Sequence, residues 1–425
     1  MHFTIIIKYP RAAADLFGFN SGKARTISGE HPSDHPSDRK TRDKRRFGLL
    51  LVLGIALLLG VLALAFQLGR SNSIEPAAGT ASAPAALTDV RGRPIDIAAP
   101  ATRIAIDDSR YLVALSLIHP DPVSVLAAWP KDINRLGEES YKQWLAKSPR
   151  LAELPVISSS AKGFDAESLL AAKPDLALLS LESGITDAQI AQLEGAGIKV
   201  VIVDFFQKPL ENLERSLLLL GKLTGREEQA QAFVAFRQEH MKRIADRVAT
   251  LAPADRPNVF LEAHAGMTPD CCNSPGRGNI GDYLTFVGGH NIGADSINQA
   301  FGKLSLEYVI SRDPVVYIAT GGPHLKKAGG LVLGAGFTEA DAKASLAKMV
   351  ARPGIASLAA VKAGRAHGIS HQLINSPLDI VAIEAFARWI HPELFQDVDP
   401  AATLAEINKG FLTIPYEGVY WVDLK

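Results

Sequence analysis

The sequence predicts an α/β fold of two Rossmann-like lobes, joined by a long backbone helix and preceded by an N-terminal transmembrane or signal segment. Three observations lead to this prediction. Short apolar runs alternate with helical stretches through most of the chain, as in parallel sheets that are covered on both faces. Residues 209–251 contain no strand pattern. Residues 47–68 form an uncharged apolar run near the N-terminus.

The composition is that of a packed globular protein and argues against two classes of protein. Of the 425 residues, 47% are hydrophobic and 21% are charged, which is ordinary for a folded domain. Lys and Arg number 45, as do Asp and Glu, so the chain lacks the basic excess of a nucleic-acid-binding protein. The two cysteines, Cys271 and Cys272, are adjacent, which excludes a disulfide framework and a spaced zinc motif.

The N-terminal part predicts a basic leader, a membrane segment and a linker. Residues 1–46 lack apolar periodicity and end in RKTRDKRR; we expect them to be disordered and, by the positive-inside rule, cytoplasmic. Residues 47–68 would span about 33 Å as a helix, enough to cross a hydrocarbon core of about 30 Å. We favour an uncleaved anchor at the periplasmic face of the inner membrane. The alternative is a signal peptide cleaved near Ala63-Leu64-Ala65, which would free the protein in the periplasm. Residues 69–87 read as a flexible Ala/Pro/Ser/Gly linker.

Residues 88–208 are predicted to form the N-terminal α/β lobe. The near-continuous apolar runs at 103–107, 175–180 and 199–204 are typical of buried parallel strands. Residues 186–197 between two of them have helical spacing and end in glycines. This alternation indicates βαβ units.

Residues 209–251 are predicted to form the backbone helix between the lobes. Pro209 suits the first position of a helix, and leucines follow at spacings of three and four residues. Gly221 and the Thr224-Gly225 pair are candidate breaks.

Residues 252–425 are predicted to form the C-terminal α/β lobe. The predicted elements, from the patterns in the sequence, are strands within 257–266, 313–322 and 364–370 and helices at 337–350 and 379–390. The last apolar stretch, residues 411–424, has no regular period and receives no assignment.

One block is repeated in the two lobes. When Glu167 is aligned with Glu307, Pro174 and Pro314 coincide, and a candidate helix N-cap lies two residues before each glutamate. Each block therefore predicts a short helix that proline ends and a buried strand follows. Two such lobes create a cleft at the carboxyl ends of their strands, where ligands bind in open α/β sheets.

The chain resembles the periplasmic binding proteins of ABC importers for ferric siderophores, haem and vitamin B12, whose lobes are joined by one backbone helix. The matching pieces include RIAID, FDAESLLAAKPDLALLS, GDYLTFVGGHNIGADS and KLSLEYVISRDPVVYIATGGPH. They occur in family order over about residues 88–400. The resemblance implies a ligand carrier without enzymatic activity or cofactor, expected to be a monomer. It also implies that Glu167 and Glu307 dock onto arginines of the permease transmembrane subunits.

The resemblance also bears on the ligand. Phe301 stands where similar vitamin B12 binders have a tryptophan, so a Fe³⁺ chelate of the siderophore class is favoured over a corrinoid. Direct binding of Zn²⁺, Mn²⁺ or iron through His264, His367 and His371 is one alternative, and haem or vitamin B12 is another. An alternative of a different class is a membrane-tethered sensor that uses the binding fold.

The loops that follow the strands supply the candidate ligand contacts. Imidazole is a common metal ligand, and guanidinium groups neutralise anionic chelates. Each candidate also has an ordinary structural explanation, as a surface charge, a core side chain or a turn. The candidates are Asp108, Arg110, Tyr111 and Lys162 in the first lobe and His264, Arg277, Phe301 and His371 in the second.

The adjacent cysteines leave several states open. In an oxidising compartment Cys271 and Cys272 could form a disulfide with each other, remain thiols or bridge to another chain. We expect the pair to form a rigid turn beside the cleft.

Overall fold

The computed structural model of the protein describes residues 87–425. The predicted leader, the apolar run 47–68 and all but the last residue of the linker lie outside this range. Within 87–425, every helix is too short or too polar to cross a bilayer.

The N-terminal lobe is built on a parallel four-stranded sheet with the strand order β2-β1-β3-β4. The strands β1 and β3 are buried along their whole length, which explains why their sequences are continuous rather than alternating apolar runs. The strands predicted at 103–107, 175–180 and 199–204 are confirmed, whereas β2 was not predicted. The bounds are β1 Ile104–Ile106, β2 Leu126–Ala128, β3 Leu176–Ser180 and β4 Lys199–Val203, with helices α1 Tyr111–Ser116, α2 Ile133–Leu136, α3 Glu138–Lys147, α4 Ala166–Ala172 and α5 Asp187–Gly195.

The crossing between the lobes consists of two helices, α6 Pro209–Thr224 and α7 Glu227–Val248. Gly225 ends α6 with a φ of 66°, a left-handed conformation that glycine adopts at little cost. A Cβ atom on Gly221 would lie 2.5 Å from the Cβ atom of Ala230, so glycine lets α6 and α7 approach closely. The break predicted at this point is therefore confirmed, and α7 is the longer helix.

The C-terminal lobe contains a five-stranded sheet with the order β11-β10-β9-β5-β7. Its strands are parallel except for β11, which pairs antiparallel with β10. The bounds are β5 Asn258–Glu262, β7 His290–Asn291, β9 Val316–Gly321, β10 Ala366–Ser370 and β11 Trp421–Asp423, with a separate antiparallel pair, β6 Asn273–Pro275 and β8 Phe301–Lys303. The helices are α8 Ile280–Phe286, α9 Leu306–Ser311, α10 Glu339–Val350, α11 Ala359–Lys362, α12 His371–Ile374, α13 Asp379–Ile390 and α14 Pro400–Gly410.

The repeated blocks form equivalent helices in the two lobes. The Asp165 side chain accepts hydrogen bonds from the backbone N–H groups of Glu167 and Ser168 at the start of α4. The Ser305 side chain caps α9 in the same way. Glu167 and Glu307 both lie exposed in the first turn of their helix, where a carboxylate also interacts favourably with the helix dipole.

The last residues of the chain return to the N-terminal lobe before they form β11. We call residues 411–420 the C-terminal clasp. The backbone N–H of Thr413 donates to the Ser116 carbonyl at 3.1 Å, and the Lys147 ammonium group donates to the Thr413 carbonyl at 2.7 Å. The clasp is thus a second connection between the lobes, in addition to the α6–α7 crossing.

Candidate ligand-binding cleft

The carboxyl ends of the two parallel sheets supply the residues of the interlobe cleft. Asp108 and Arg110 follow β1, and Phe206 follows β4; His264 and His371 follow β5 and β10. Such strand ends are where open α/β sheets bind ligands.

The lobes contact each other in this structure. The rings of Phe206 and Phe301 stack across the cleft with centroids 6.5 Å apart and planes at 17°. The Asn279 side-chain amide donates to the Phe206 carbonyl, and the Gln372 amide donates to the carbonyl of Leu136. The cleft is therefore closed.

Buried ion pairs organise the N-terminal face of the cleft. Asp108 is fully buried, and its carboxylate accepts bonds from Arg110 Nε at 3.0 Å and from Arg110 Nη2 at 2.6 Å. The Arg135 guanidinium binds the same carboxylate. Arg110 also lies over the Phe206 ring, 5.1 Å from its centroid. Two guanidinium groups are thus held in place by one carboxylate.

The acids of this face titrate differently from one another. Burial by itself would raise the pKa of Asp108, but the charges and hydrogen bonds of Arg110 and the charge of Arg135 lower it below its usual value. Burial, followed by the charge of Asp108, raises the pKa of Asp107 well above its usual value. Burial also raises the pKa of Glu182. Since the raised pKa values shift Asp107 and Glu182 towards their neutral forms, these two acids offset the guanidinium charges less than fully ionised carboxylates would.

Three imidazoles form the C-terminal face. His264 Nδ1 lies 2.9 Å from His324 Nε2. The rings of His264 and His371 stack with centroids 3.8 Å apart and planes at 15°. His371 is buried, and its Nε2 lies 2.6 Å from the hydroxyl of Thr320 while its Nδ1 lies 3.2 Å from the Asn375 amide. His264 and His324 are the more accessible members of this cluster.

The surroundings keep these imidazoles neutral. Burial, followed by the nearby His324, lowers the pKa of His264 to about 4. Burial and the neighbouring imidazoles lower the pKa of His371 well below its usual value. A neutral imidazole is the form that binds metal ions. However, no group of three or more His, Cys, Asp or Glu side chains within 87–425 is arranged to hold a metal ion.

A small cavity remains between the two faces. Its volume is about 10 Å³, which is room for about one water molecule. The lining residues are Arg110, Tyr111, Ser180, Phe205, Phe206, Asn375, Ser376 and Pro377. The side-chain oxygens of Asn375 and Asn279 are buried without a hydrogen-bond partner. A ligand larger than water can therefore enter only when the lobes or their side chains move apart.

The sequence-derived candidates fall into two groups. Asp108, Arg110, Tyr111, His264, Phe301 and His371 take part in the contacts of the cleft. Lys162 and Arg277 are exposed, and no hydrogen bond or ion pair of their side chains is found within the described part of the chain. Glu167 and Glu307 lie on the first turns of α4 and α9, as described above.

The structure changes the expected histidine set and selects one of the states left open for the cysteines. His367 does not join the other histidines, because its ring stacks on Trp389 at 4.6 Å. His324 occupies the place in the cluster that the metal-ion alternative gave to His367. Cys271 and Cys272 form a disulfide with each other, and Cys271 lines a separate cavity of about 440 Å³ together with Glu307.

Among the cleft residues that sequence reasoning missed are Arg135, Phe206 and His324. His324 had a detectable signal, because it follows the Gly-Gly pair at the end of a predicted strand. Phe206 likewise follows the strand predicted at 199–204. Arg135 had none, because it lies on the four-residue helix α2 after the unpredicted strand β2.

Solved structures of periplasmic binding proteins are similar to this chain. A TroA-like periplasmic binding protein, FepB from Veillonella parvula, has a TM-score of 0.72 and 28% identity, covering 80% of this chain and 99% of its own. The molybdate-binding protein MolA of Haemophilus influenzae has a TM-score of 0.60 and 18% identity, with coverages of 78% and 99%. CeuE of Helicobacter pylori, solved as a Ni-His complex, has a TM-score of 0.55 and 16% identity, with coverages of 77% and 95%. A search of curated proteins gives no match.

The family assignment rests on a match over a large part of the chain, not on a single motif. The family model described as periplasmic binding protein matches residues 115–372, which include parts of both lobes and the whole α6–α7 crossing. Members of this family bind and carry solutes and are not enzymes. The chain belongs to the periplasmic binding protein family and is a solute-binding protein of an ABC importer.

Proposed function

We propose that the protein captures an anionic iron chelate of the ferric siderophore class in the interlobe cleft and delivers it to the permease. The observation that carries this proposal is the pairing of unlike faces: the guanidinium groups of Arg110 and Arg135 on one lobe and the neutral imidazoles of His264 and His324 on the other. Guanidinium groups bind the negative chelator, and imidazoles bind metal positions that the chelator leaves open.

A chelate suits this cleft better than a bare ion. Full coordination of a bare ion needs several converging ligands, and the described residues contain no group of three arranged to hold one. The stacked rings of Phe206 and Phe301 add apolar surface, which an organic chelator can use and a hydrated ion cannot.

The fold by itself does not select the ligand. The structurally similar proteins from Haemophilus influenzae and Helicobacter pylori were solved with molybdate and with a Ni-His complex, respectively. The choice of an iron chelate therefore depends on the side chains of this chain. Phe301, which takes the place of a tryptophan, supports a siderophore over a corrinoid.

The proposal includes a division of the chain and its location. The lobes comprise residues 88–208 and 252–425, with the crossing at 209–251. The preceding run, 47–68, anchors them at the periplasmic face of the inner membrane. Glu167 and Glu307, one on each lobe, dock onto the permease.

The first test is a titration of the purified chain, followed by intrinsic fluorescence. The panel is a ferric hydroxamate, a ferric catecholate, ferric citrate, haem, cobalamin, Zn²⁺ and Mn²⁺. We expect saturable quenching by one ferric chelate class, with affinity reduced about tenfold or more in Arg110→Ala and His324→Ala. His290→Ala, which removes an imidazole from a surface ion pair, is the matched control and should bind as the parent does. Binding of cobalamin alone would refute the proposal.

The docking role requires a separate measurement. Glu167→Gln and Glu307→Gln should leave chelate affinity unchanged, because both carboxylates are exposed and neither forms a hydrogen bond or ion pair with a cleft residue within 87–425. We expect the double variant to lose uptake of the radiolabelled chelate in cells that depend on this carrier. Normal uptake by the double variant would exclude these glutamates from docking.

A bare transition-metal ion is the second candidate ligand. The contact between His264, His324 and His371 favours it, because a small rearrangement could bring their nitrogens together. Tight binding of Zn²⁺ or Mn²⁺ in the same titration, with no response to any chelate, would select this alternative.

A further inference from the structure

A further pocket lies on the flank of the C-terminal lobe. It has a volume of about 440 Å³ and runs along β10, β11 and the end of α13. It contains His367 of β10, whereas His371 of the cleft is the first residue of α12. We call it the flank pocket. Its main lining residues are Arg365, His367, Arg388, Trp389, Trp421 and Asp423.

Flat aromatic surfaces form much of its wall. The ring of His367 stacks on the indole of Trp389 with centroids 4.6 Å apart and planes at 12°. Trp421 lies on β11, directly opposite Ile369, and is partly exposed. Indoles that are partly accessible in a pocket offer a stacking surface to a planar ligand.

One nitrogen of the His367 imidazole is hydrogen-bonded, and the other has no partner within the described residues. Its Nδ1 lies 2.6 Å from Asp423 Oδ1. Its Nε2 is buried and has no hydrogen-bond partner within the described residues, and the residue as a whole is only 9% exposed. Buried polar atoms are rarely left unpaired in folded proteins, so this nitrogen indicates a missing partner.

The two arginines of the pocket have spare hydrogen-bonding capacity. Arg365 donates to the carbonyls of Trp389 and Ile390 at 2.8 and 3.1 Å, and Arg388 donates to the Val398 carbonyl at 3.1 Å. Neither guanidinium forms an ion pair with a carboxylate of residues 87–425. Burial lowers the pKa of Arg365, because the hydration that the group loses is not replaced by a negative charge.

The carboxylates of the pocket bind other groups than its arginines. Asp423 binds the imidazole of His367, and Asp399 caps α14 by accepting a bond from the Ala401 N–H at 2.9 Å. Both guanidinium groups therefore remain available to an acidic group on a ligand.

We propose that the flank pocket binds a small planar organic anion, an aromatic carboxylate in its simplest form. The carboxylate binds the guanidinium groups of Arg365 and Arg388, and the ring stacks on Trp421. This site is separate from the cleft, and the proposal does not depend on which chelate the cleft carries.

The test is calorimetric titration of the purified full chain with 1-naphthoate as probe. We expect a Kd of about 1 mM or tighter and binding weakened about tenfold or more in Arg388→Ala. Trp421→Leu should also weaken it, because the stacking surface is lost. Lys409→Ala removes an exposed cation outside the pocket and is the matched control. The neutral analogue 1-naphthalenemethanol should bind at least tenfold more weakly than the anion.

Three outcomes would overturn the proposal. The first is no saturable binding of 1-naphthoate, and the second is equal affinity for the neutral analogue. The third is binding that survives Arg388→Ala and Trp421→Leu but is lost in His264→Ala, which would place the probe in the cleft. A circular dichroism spectrum identical to that of the parent shows that each variant is folded.

Discussion

The two lobes share an architecture but present opposite chemistry to the cleft. Both place loops at the carboxyl ends of a largely parallel sheet, and both start a short capped helix with an exposed glutamate. The N-terminal lobe, however, presents guanidinium groups fixed by a buried carboxylate, whereas the C-terminal lobe presents imidazoles that burial keeps neutral. The proposed chelate, with a negative part and a metal part, would fit both faces, which is a stronger constraint than either lobe gives alone.

The largest expected effect is a loss of stability when Asp108 in the N-terminal lobe is replaced. Asp108→Ala leaves the guanidinium groups of Arg110 and Arg135 without their shared partner. Removal of one member of a buried ion pair costs about 3–5 kcal/mol, so we expect a loss of that order in the free energy of unfolding, measured with urea at pH 7. Glu139→Ala, which breaks the exposed pair with Lys142, should cost less than about 1 kcal/mol. Equal losses in the two variants would show that the Asp108 cluster does not hold the lobe together.

A smaller effect is expected in the C-terminal lobe, where His264 makes the free energy of unfolding depend on pH. The pKa of His264 is about 4 in the folded protein and about 6.5 in an unfolded chain. Above about pH 6.5 both states are neutral and the contribution of His264 to stability is fully present. As the pH falls towards 4, the unfolded state takes up the proton first, so that the contribution is lost. We expect a decrease of about 1–2 kcal/mol, reduced by partial solvent screening.

The corresponding measurement is the free energy of unfolding from pH 8 to pH 4. His264→Gln should have a flatter profile than the parent chain. The Asp108 carboxylate should contribute little to the slope above about pH 5, because its lowered pKa makes its stability loss occur at more acidic pH. Parallel profiles for the variant and the parent would contradict the assignment of a neutral His264.

The smallest expected effect is a coupling energy that tests whether the two faces of the cleft are in contact in solution. Phe206 and Phe301 stack between the lobes, and aromatic pairs contribute about 0.5–1.5 kcal/mol beyond their buried area. A double-mutant cycle with Phe206→Leu and Phe301→Leu should give a coupling energy at the lower end of this range, because the rings are 6.5 Å apart. Zero coupling would mean that the free protein is open.

The sequence predicted the sheets well, because strands covered on both faces are nearly continuous apolar runs. The strands β1, β3, β4, β5 and β9 follow this pattern, whereas β10 has the mixed sequence AHGIS. The short strand β2 has only three residues, too few to show any pattern. The clasp and β11 could not be assigned, because β11 gains its regularity from pairing with the distant strand β10.

The sequence does not show in which direction a side chain points, and this limited the prediction of the site. His367 and His371 lie four residues apart, and the sequence cannot show that one faces α13 while the other faces the cleft. β10 ends at Ser370 and α12 begins at His371, so the two residues do not belong to one strand, and no pattern in the sequence marks this change. Arg135 depends on a four-residue helix and on a buried carboxylate from another loop, and neither contact leaves a periodic pattern.

The C-terminal clasp has a consequence for the rates of ligand exchange. Because the clasp holds the N-terminal lobe through Thr413 and Lys147, opening of the closed cleft must either break these bonds or turn about them. Association that waits for such a rearrangement is slower than simple encounter, and escape of the bound molecule is slowed by the same barrier. A carrier of this kind loads slowly but retains its cargo between encounters with the importer.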